Sequence, residues 1–412
     1  MSRGGWSISP SFLRYWRATA VSGLGTYVTL FALQALVVLE LDGTASDVGW
    51  LNSARWLPFL VFGLVVGAVV DGRRRLPLLI RTDLLQAALL LSIPLLWWLD
   101  LLSLPVLLVV VFGYGTVSVV SGAAQMSLVP RLLARDQLQP AHARVDGADA
   151  VASTAGPALG GVLVSALGAP VAVLLDSLTY VYSALTLRGI RLDEPPARTG
   201  VTVRGLLRDA VEGFRWAYGA SGLAVLAVAT HGWFVGNAII GVVLAPYALR
   251  DLDLSAFQLG LVGAVGGVGA VLGAAVTTWV GRRLGTGRTI IGCHVITAVG
   301  VVAMAFAGGR ASGAWAMTFL MIGQGLYGLA MGMSNSHEMS YRQLVTPDEL
   351  QARTNTTLRS LNRAVMVVVA PVAGILADAW GIRPMLVVAA AVFALVAVGL
   401  ASTSFRDAQA PV

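Results

Sequence analysis

The 412-residue chain contains no lysine, and its 28 basic residues are all arginine. A Walker A phosphate loop and Schiff-base chemistry both need a Lys, so both are excluded. Cysteine is nearly absent as well: Cys293 is the single one and lies in an apolar run. An intrachain disulfide framework and a thiolate metal cluster are therefore ruled out. Charge is sparse, at 12% of residues against 57% hydrophobic, and the mean hydropathy is +0.78. So few polar groups cannot coat soluble domains, and the composition is that of an integral membrane protein. The net charge of +7 comes from arginines between long apolar runs, not from a basic stripe with exposed aromatics, which argues against a nucleic-acid partner. His-Glu-Xaa-Xaa-His, a serine elbow and paired metal-ligand spacing are all missing, and His142, His231, His294 and His337 are scattered. No metal site, catalytic residue or cofactor is expected, and the chain is not read as an enzyme.

What is present is apolar length. A helix rises about 1.5 Å per residue, so crossing a hydrocarbon core of about 30 Å takes about 20 residues. Twelve runs meet that window: 18–40, 47–70, 77–99, 104–126, 148–168, 170–189, 222–247, 255–280, 288–308, 312–335, 358–378 and 382–402. The first is too long for a signal peptide, and its Ala18-Thr19-Ala20 precedes the run instead of following it, so it is kept as a helix. The longest polar stretch, about Arg188 to Arg215, falls between runs six and seven. The expected division is a six-helix bundle over 1–190, a cytoplasmic linker over 191–216 and a second bundle over 217–412. With both termini in the cytoplasm, 24 of 28 arginines fall in inner segments, against Arg250, Arg310 and Arg383 outside and Arg55 within a span. The positive-inside rule then places both ends in the cytoplasm of a multi-pass plasma (inner) membrane protein.

The halves resemble each other. Met126-Ser127, Asp136-Gln137-Leu138 and Pro157-Xaa-Xaa-Gly160 recur as Met339-Ser340, Asp348-Glu349-Leu350 and Pro371-Xaa-Xaa-Gly374, at offsets of 213, 212 and 214 residues. A near-constant offset marks duplication. The expected fold class is an all-α membrane protein of twelve transmembrane helices in two pseudo-symmetric six-helix bundles, the arrangement of rocker-switch transporters, with a substrate site at the repeat interface near the bilayer midplane.

Between spans two and three stands Gly67-Ala68-Val69-Val70-Asp71-Gly72-Arg73-Arg74-Arg75, which is similar to the loop motif of the major facilitator superfamily: Gly, three residues, Asp, then a basic cluster. Gly72 replaces the usual Arg and Arg74 the usual later Gly; the second-half equivalent, Gly281-Arg282-Arg283, lacks the Asp. An anion at the end of helix 2 can face a helix N-terminus and a cation on the other bundle, which makes a conformational latch of Asp71, Arg73, Arg74 and Arg75. Arg363 is the candidate partner across the bundles and Arg359 the second choice; a plain turn-capping role for Asp71 is the alternative. In helix 5, Gly156-Pro157-Ala158-Leu159-Gly160-Gly161 resembles the motif of exporter and antiporter branches. Pro removes one helix hydrogen bond and the glycines admit a close neighbour; a plain packing seam is the alternative. Together with Leu128-Val129-Pro130-Arg131-Leu132 and Asp136-Gln137-Leu138, it resembles the macrolide-efflux and siderophore-exporter (transmembrane secretion effector) group. Gly263-Xaa-Xaa-Xaa-Gly267 and Gly269-Xaa-Xaa-Xaa-Gly273 sit within an apolar span and read as helix-contact faces.

Ionisable groups inside spans are costly, so each is a functional candidate. A proton-coupled exporter needs a carboxyl group that takes up a proton on one side and releases it on the other. Asp176 is the deepest clear carboxylate, Glu40 is the expected partner of Arg55, and Asp83 lies one to two turns into helix 3. Each also has a structural alternative as a packing acid, an interfacial pair or an anchor. Asp146, Asp149, His337 and Glu338 fall near helix ends, where solvation or capping is expected.

The resemblance implies a cavity lined by helices 1, 4, 7 and 10, whose polar and aromatic candidates are Thr26, Thr29, Gln34, Tyr114, His231, Trp233, Asn237, Gln324 and Tyr327. That mixture suits a small amphiphilic organic molecule better than a sugar or inorganic ion. The expectation is a proton-coupled multidrug-type efflux antiporter that needs no cofactor beyond the proton gradient, has the lipid bilayer and its substrate as partners, and works as a monomer. A dedicated siderophore or natural-product exporter is the alternative within transport, and a non-transporting membrane sensor or lipid-handling protein the alternative outside it.

Overall fold

A computed structural model describes residues 9–71, 73–192, 203–219, 222–308 and 314–409, with the side chains of 64, 65, 67–69, 71, 135, 203, 204, 206 and 207 outside that description. Among the described residues there is no strand, and the helices run α1 (Pro10–Leu39), α2 (Ala45–Asp71), α3 (Arg75–Trp98), α4 (Leu104–Leu132), α5 (Leu138–Leu167), α6 (Ala169–Arg188), α7 (Val203–Tyr218), α8 (Ala224–Pro246), α9 (Ala256–Leu284), α10 (Thr286–Phe306), α11 (Ala314–Val345), α12 (Asp348–Trp380) and α13 (Ile382–Ala401). Eleven helical stretches among these residues are long and apolar enough to cross a membrane. The 27-residue α2 runs beside α4 and α12.

Local chemistry sets the helix ends. Ser9 Oγ accepts the Phe12 amide at 3.3 Å ahead of Pro10, whose fixed φ suits a first helical position. Ser255 and Gln258 form a reciprocal capping box that starts α9. Gly168 joins α5 to α6 and Gly381 joins α12 to α13, at φ +84° and +93°. A Cβ is strained there, and a single residue both ends one helix and starts the next. The two turns are spaced as the sequence repeats are, so the duplication extends to the hairpins.

Within the first six helices, α1 packs on α5 and α6, α3 on α4 and α6, and α2 on α4. Among α8 to α13, α8 packs on α12 and α13, α10 on α11 and α13, and α9 on α11. The two sets meet along α2–α12 and α5–α9. Long helices alternate in direction, so the start of α1 and the end of α13 share one end of the bundle, the terminus end. At the opposite, far end one apolar cluster runs through both sets, joining Leu36, Val38 and Val48 to Leu249, Ala373 and Phe393. At the terminus end the apolar core is split: one cluster holds Phe12, Tyr15 and Leu128, and a separate one holds Leu223, Ile290 and Leu358. The halves are fused at the far end and parted at the other.

Several helices are longer than their apolar runs. α5 begins ten residues before 148, α11 continues ten past 335, and α12 begins ten before 358. A hydropathy window finds the stretch that lipid requires, whereas a helix continues as long as its backbone bonds are made, even where polar side chains face water. Arg359 and Arg363 therefore stand well inside α12, not at its start. The expected linker 191–216 contains α7, which packs on α12: Arg353 pairs with Asp209 (3.3 Å) and Glu212 (2.6 Å), and Thr357 Oγ1 donates to the Ala210 carbonyl (3.2 Å).

Candidate functional site

Two cavity lobes share Trp56 and Asp149: one of about 330 Å³ is lined within the first half, and one of about 780 Å³ lies between these two residues and the second half. Volumes of this order hold drug-sized molecules. The first lobe belongs to the first half. Thr26 and Tyr114 line it, as expected, together with Tyr27, Arg55, Gln86 and Tyr180. Its wall carries a hydrogen-bonded network: Tyr180 Oη shares bonds with Thr26 Oγ1 and Tyr114 Oη (2.8 Å each), while Gln86 Nε2 donates to Tyr180 Oη (3.3 Å) and Ser118 Oγ (3.0 Å). Such networks fix side-chain positions when most members are satisfied.

Asp176 lies one turn before Tyr180 on α6 and is 1% exposed. Its carboxylate packs over Gly25 of α1, a close approach that a Cβ at Gly25 would block. Thr179 Oγ1 donates to Asp176 Oδ1 at 2.8 Å; Oδ2 faces Thr29 without a bond of normal geometry. Thr29, fully buried, is thus a neighbour of Asp176 and not a cavity wall residue. Asp83 is 3% exposed and accepts from Ser183 Oγ at 2.6 Å, tying α3 to α6 away from both lobes.

Arg55 and Glu40 are not brought together. Glu40 is exposed at the C-cap of α1 beside Gly168. Arg55 lies ten residues into α2, about 15 Å deeper, with its guanidinium 4.7 Å from the Trp56 ring centroid and facing Tyr114, Tyr27 and Tyr180. The expected partnership required Glu40 and Arg55 at one depth, and the helix rise separates them.

The second lobe belongs to the other half. Trp233 and Asn237 line it, with Glu338, Arg342, Arg359, Asn362 and Arg363. Trp233 stacks on Tyr327 (6.3 Å between centroids), and Tyr327 Oη donates to Asn237 Oδ1 at 2.5 Å. His231 sits behind the wall, its Nδ1 bonded to Asn362 Oδ1 at 2.7 Å and its Nε2 to the Tyr218 hydroxyl of α7. Gln324 is buried against Gly266 and Gln34 is half-buried, so neither lines a lobe. Ser334 Oγ (2.6 Å) and Thr230 Oγ1 (3.3 Å) donate to Glu338, whose carboxylate is 3.9 Å from Arg342. His337, 2% exposed, faces the Thr277 carbonyl at 3.3 Å. Neither Glu338 nor His337 is the solvated helix-end group expected, because α11 continues past them.

The latch expectation falls partly outside the description: the Asp71 side chain is not among the described ones. Arg73 and Arg74 are exposed, and Arg75 Nη1 donates to the Arg73 carbonyl at 2.7 Å. Arg363 does not face Asp71. Its guanidinium lies 4.6 Å from the Trp56 centroid and 4.4 Å from that of Phe59, twelve or more residues, about 18 Å, back along α2. Contacts of this kind contribute about 0.5 to 2 kcal/mol. Arg359 lines the same lobe and is exposed.

A carboxylate on a helix N-terminus of the other half does occur, at the far end. Asp378 of α12 accepts from Thr44 Oγ1 (2.8 Å), Ala45 N (3.0 Å), Ser46 N (3.1 Å) and Ser46 Oγ. The first-turn amides of α2 are otherwise without helical partners, and their positive end favours an anion. Further contacts close this end: Ser53 Oγ donates to the Val367 carbonyl (2.5 Å), Phe257 N to Ser165 Oγ (2.8 Å), and Arg250 to the Val38 carbonyl (3.1 Å) and Asp42 (3.4 Å). The helix 5 motif is part of the seal. Gly156 and Gly160 lie against Tyr27 and Phe31 of α1, while Gly161 meets Gly260 of α9 and the Pro157 ring meets Gly263. Its repeat does likewise, with Gly374 against Ala45 and Pro371 against Gly49 on α2.

Asp149, Glu338, Arg342, Asn362 and Asp378 were not expected as site residues. One signal was present: Ser334, Glu338 and Arg342 recur every four residues, and Asn355, Arg359, Asn362, Arg363 and Met366 follow one helical face. Asp378 had no local signal, since its partners are more than 330 positions away.

A model of the Major Facilitator Superfamily matches residues 16–364. The multidrug efflux pump Tap of Mycolicibacterium fortuitum is 26% identical over 379 residues, 89% of each chain. Among solved structures, the nucleoside transporter NupG superposes with a TM-score of 0.74 at 12% identity, over 95% of this chain and 98% of that one. A bacterial homologue of the iron transporter ferroportin in its inward-facing state gives 0.72 at 18% identity, over 96% and 100%.

Proposed function

The chain belongs to the Major Facilitator Superfamily, and from that membership and the cavity geometry we propose that it is a secondary active exporter, moving hydrophobic or amphiphilic organic compounds out of the cell by alternating access coupled to proton antiport. Its class, a multi-span membrane transporter, follows from the family and the helices. The proposal adds twelve spans in two bundles, both termini in the cytoplasm of the plasma membrane, and function as a monomer without a cofactor. The observation that carries it is the asymmetry between the ends: a central cavity lies between halves fused at the far end and parted at the terminus end. With the termini inside, this is an inward-facing state poised to load cargo from the cytoplasm or inner leaflet. The likeness to Tap supports drug-type cargo, and the aromatic walls accept an apolar body.

Coupling is assigned to Asp176. A proton shifts a two-state equilibrium only by its differential affinity for the two states, and Asp176 lies at the α1–α6 contact, behind the Tyr180 network, where loss of its charge alters how α1 sits. The test is proton flux in proteoliposomes under an imposed pH gradient, across macrolides, lipophilic cations and siderophores. Compound-dependent flux that disappears in Asp176→Asn, with binding retained, supports antiport through this residue. Gradient-driven flux unaltered by the substitution moves coupling elsewhere, and flux with a single dedicated compound class favours the natural-product alternative.

A further inference from the structure

Trp56 carries two guanidinium groups, one from each half of the protein. Arg55 lies 4.7 Å from its ring centroid and Arg363 of α12 lies 4.6 Å from it, so the two guanidinium carbons are at most about 9.3 Å apart. Neither forms an ion pair or hydrogen bond among the described residues. Arg342 and Arg359 stand in the same lobe as Arg363. The acids on the walls are Asp149, to which the Tyr27 hydroxyl donates (3.3 Å), and Glu338, which is engaged by Ser334, Thr230 and Arg342. Four arginines thus line the two lobes against two carboxylates, and Arg342 is already engaged with Glu338; buried charges ordinarily occur in pairs. An aromatic face stabilises a guanidinium from one side but leaves its five N–H donors unbonded. Those donors match a carboxylate, phosphate or sulfonate through paired hydrogen bonds, and an arginine fork is better suited to that geometry than a point charge.

We propose that Arg55 and Arg363 form an anion clamp on Trp56 across the two halves, and that the exported amphiphile carries an anionic oxyacid group held there while its apolar body lies against Phe59, Trp233 and Phe234. The assignment rests on the export reading above and narrows its cargo from any amphiphile to an anionic one. Because each half contributes one arginine, an anion bound between them links the halves directly and relieves the repulsion of two like charges.

The full-length protein, in phosphatidylcholine nanodiscs, is titrated with three probes that share one apolar body: pyrenebutyrate, pyrenebutanol and pyrenebutyl-trimethylammonium. Pyrenebutyrate should bind about tenfold tighter than the other two. Arg55→Gln and Arg363→Gln should each abolish that preference, and Arg363→Lys, which keeps the charge but not the fork, should retain only part of it, with size-exclusion profiles and melting temperatures reporting folding. Repeating the titration with phosphatidylglycerol in the disc separates the sources of the anion: competition marks a lipid headgroup and unchanged binding a soluble amphiphile. Equal or tighter binding of the neutral or cationic probe overturns the clamp and leaves amphiphile export standing. A preference that survives both glutamine variants overturns its location. Binding of none of the three, together with no compound-dependent proton flux, overturns the clamp and the export reading together.

Discussion

Asp378 joins a side chain at the end of α12 to the backbone at the start of α2, so a charge of one half meets first-turn helix amides of the other. The group is exposed, so solvent discounts its hydrogen bonds to about 1 kcal/mol in sum. Asp378→Asn should then shift the balance between far-end-closed and far-end-open states by about fivefold toward the open one. Spin labels on the exposed Leu39→Cys and Trp380→Cys, in a background with buried Cys293 changed to Ser, report that distance. An unchanged distance distribution would remove the latch role. Asp176 belongs to the same level of description: its depth in an apolar run was legible in the chain, whereas its seat over Gly25 required α1 and α6 to be packed. Arg363 shows the opposite case, because its apolar-run position placed it at a helix start and the helix itself carried it to Trp56.

The α5–α9 seam is built from backbone meeting backbone. A Cβ at Gly161 would stand 2.7 Å from the Ala256 carbonyl oxygen and 2.9 Å from Gly260 Cα, and neither can swing aside as a side chain would. Gly161→Val should part the helices at a cost of about 1–3 kcal/mol. The purified protein should melt at a lower temperature, while Gly292→Ala, where a Cβ meets nothing within 4 Å, should not lower it. Equal melting of the two variants would show that the seam tolerates separation. The glycine spacing in α9 made its contact faces legible, since Gly260, Gly263 and Gly267 share one face and Gly266, Gly269 and Gly273 another. Which face meets α5 and which meets α11 was not, because periodicity defines a stripe and not its partner. α7 was missed as a helix because its alternation of charged and apolar residues reads as linker, and its ion pairs with Arg353 form only once α12 lies beneath it.

As a whole, among the described residues, the molecule has an apolar core that is continuous between the halves at the far end and divided at the terminus end, and which end faces the cytoplasm decides the direction of loading. Arginine bias predicts both termini inside. A C-terminal green fluorescent protein fusion should fluoresce and a C-terminal alkaline phosphatase fusion should be inactive in a bacterial host. The reverse pattern would invert the membrane orientation and turn the cavity toward the exterior, which export from an inward-facing state does not allow.

The chain by itself determined the class of protein and its duplication. Span length answers to hydrocarbon thickness, arginine placement to the membrane's asymmetry and repeat offsets to an ancestral copy, and each is a property of local or summed composition. The tertiary structure alone decided which polar groups converge. Arg55 and Arg363 meet at Trp56, and Asp378 meets Ser46, although each pair is separated by more than 300 positions. A hydropathy window averages a polar cavity face into the apolar lipid face of the same helix, so it reports that a helix can span. It carries no information on where the polar face points, which depends on the helix packed opposite.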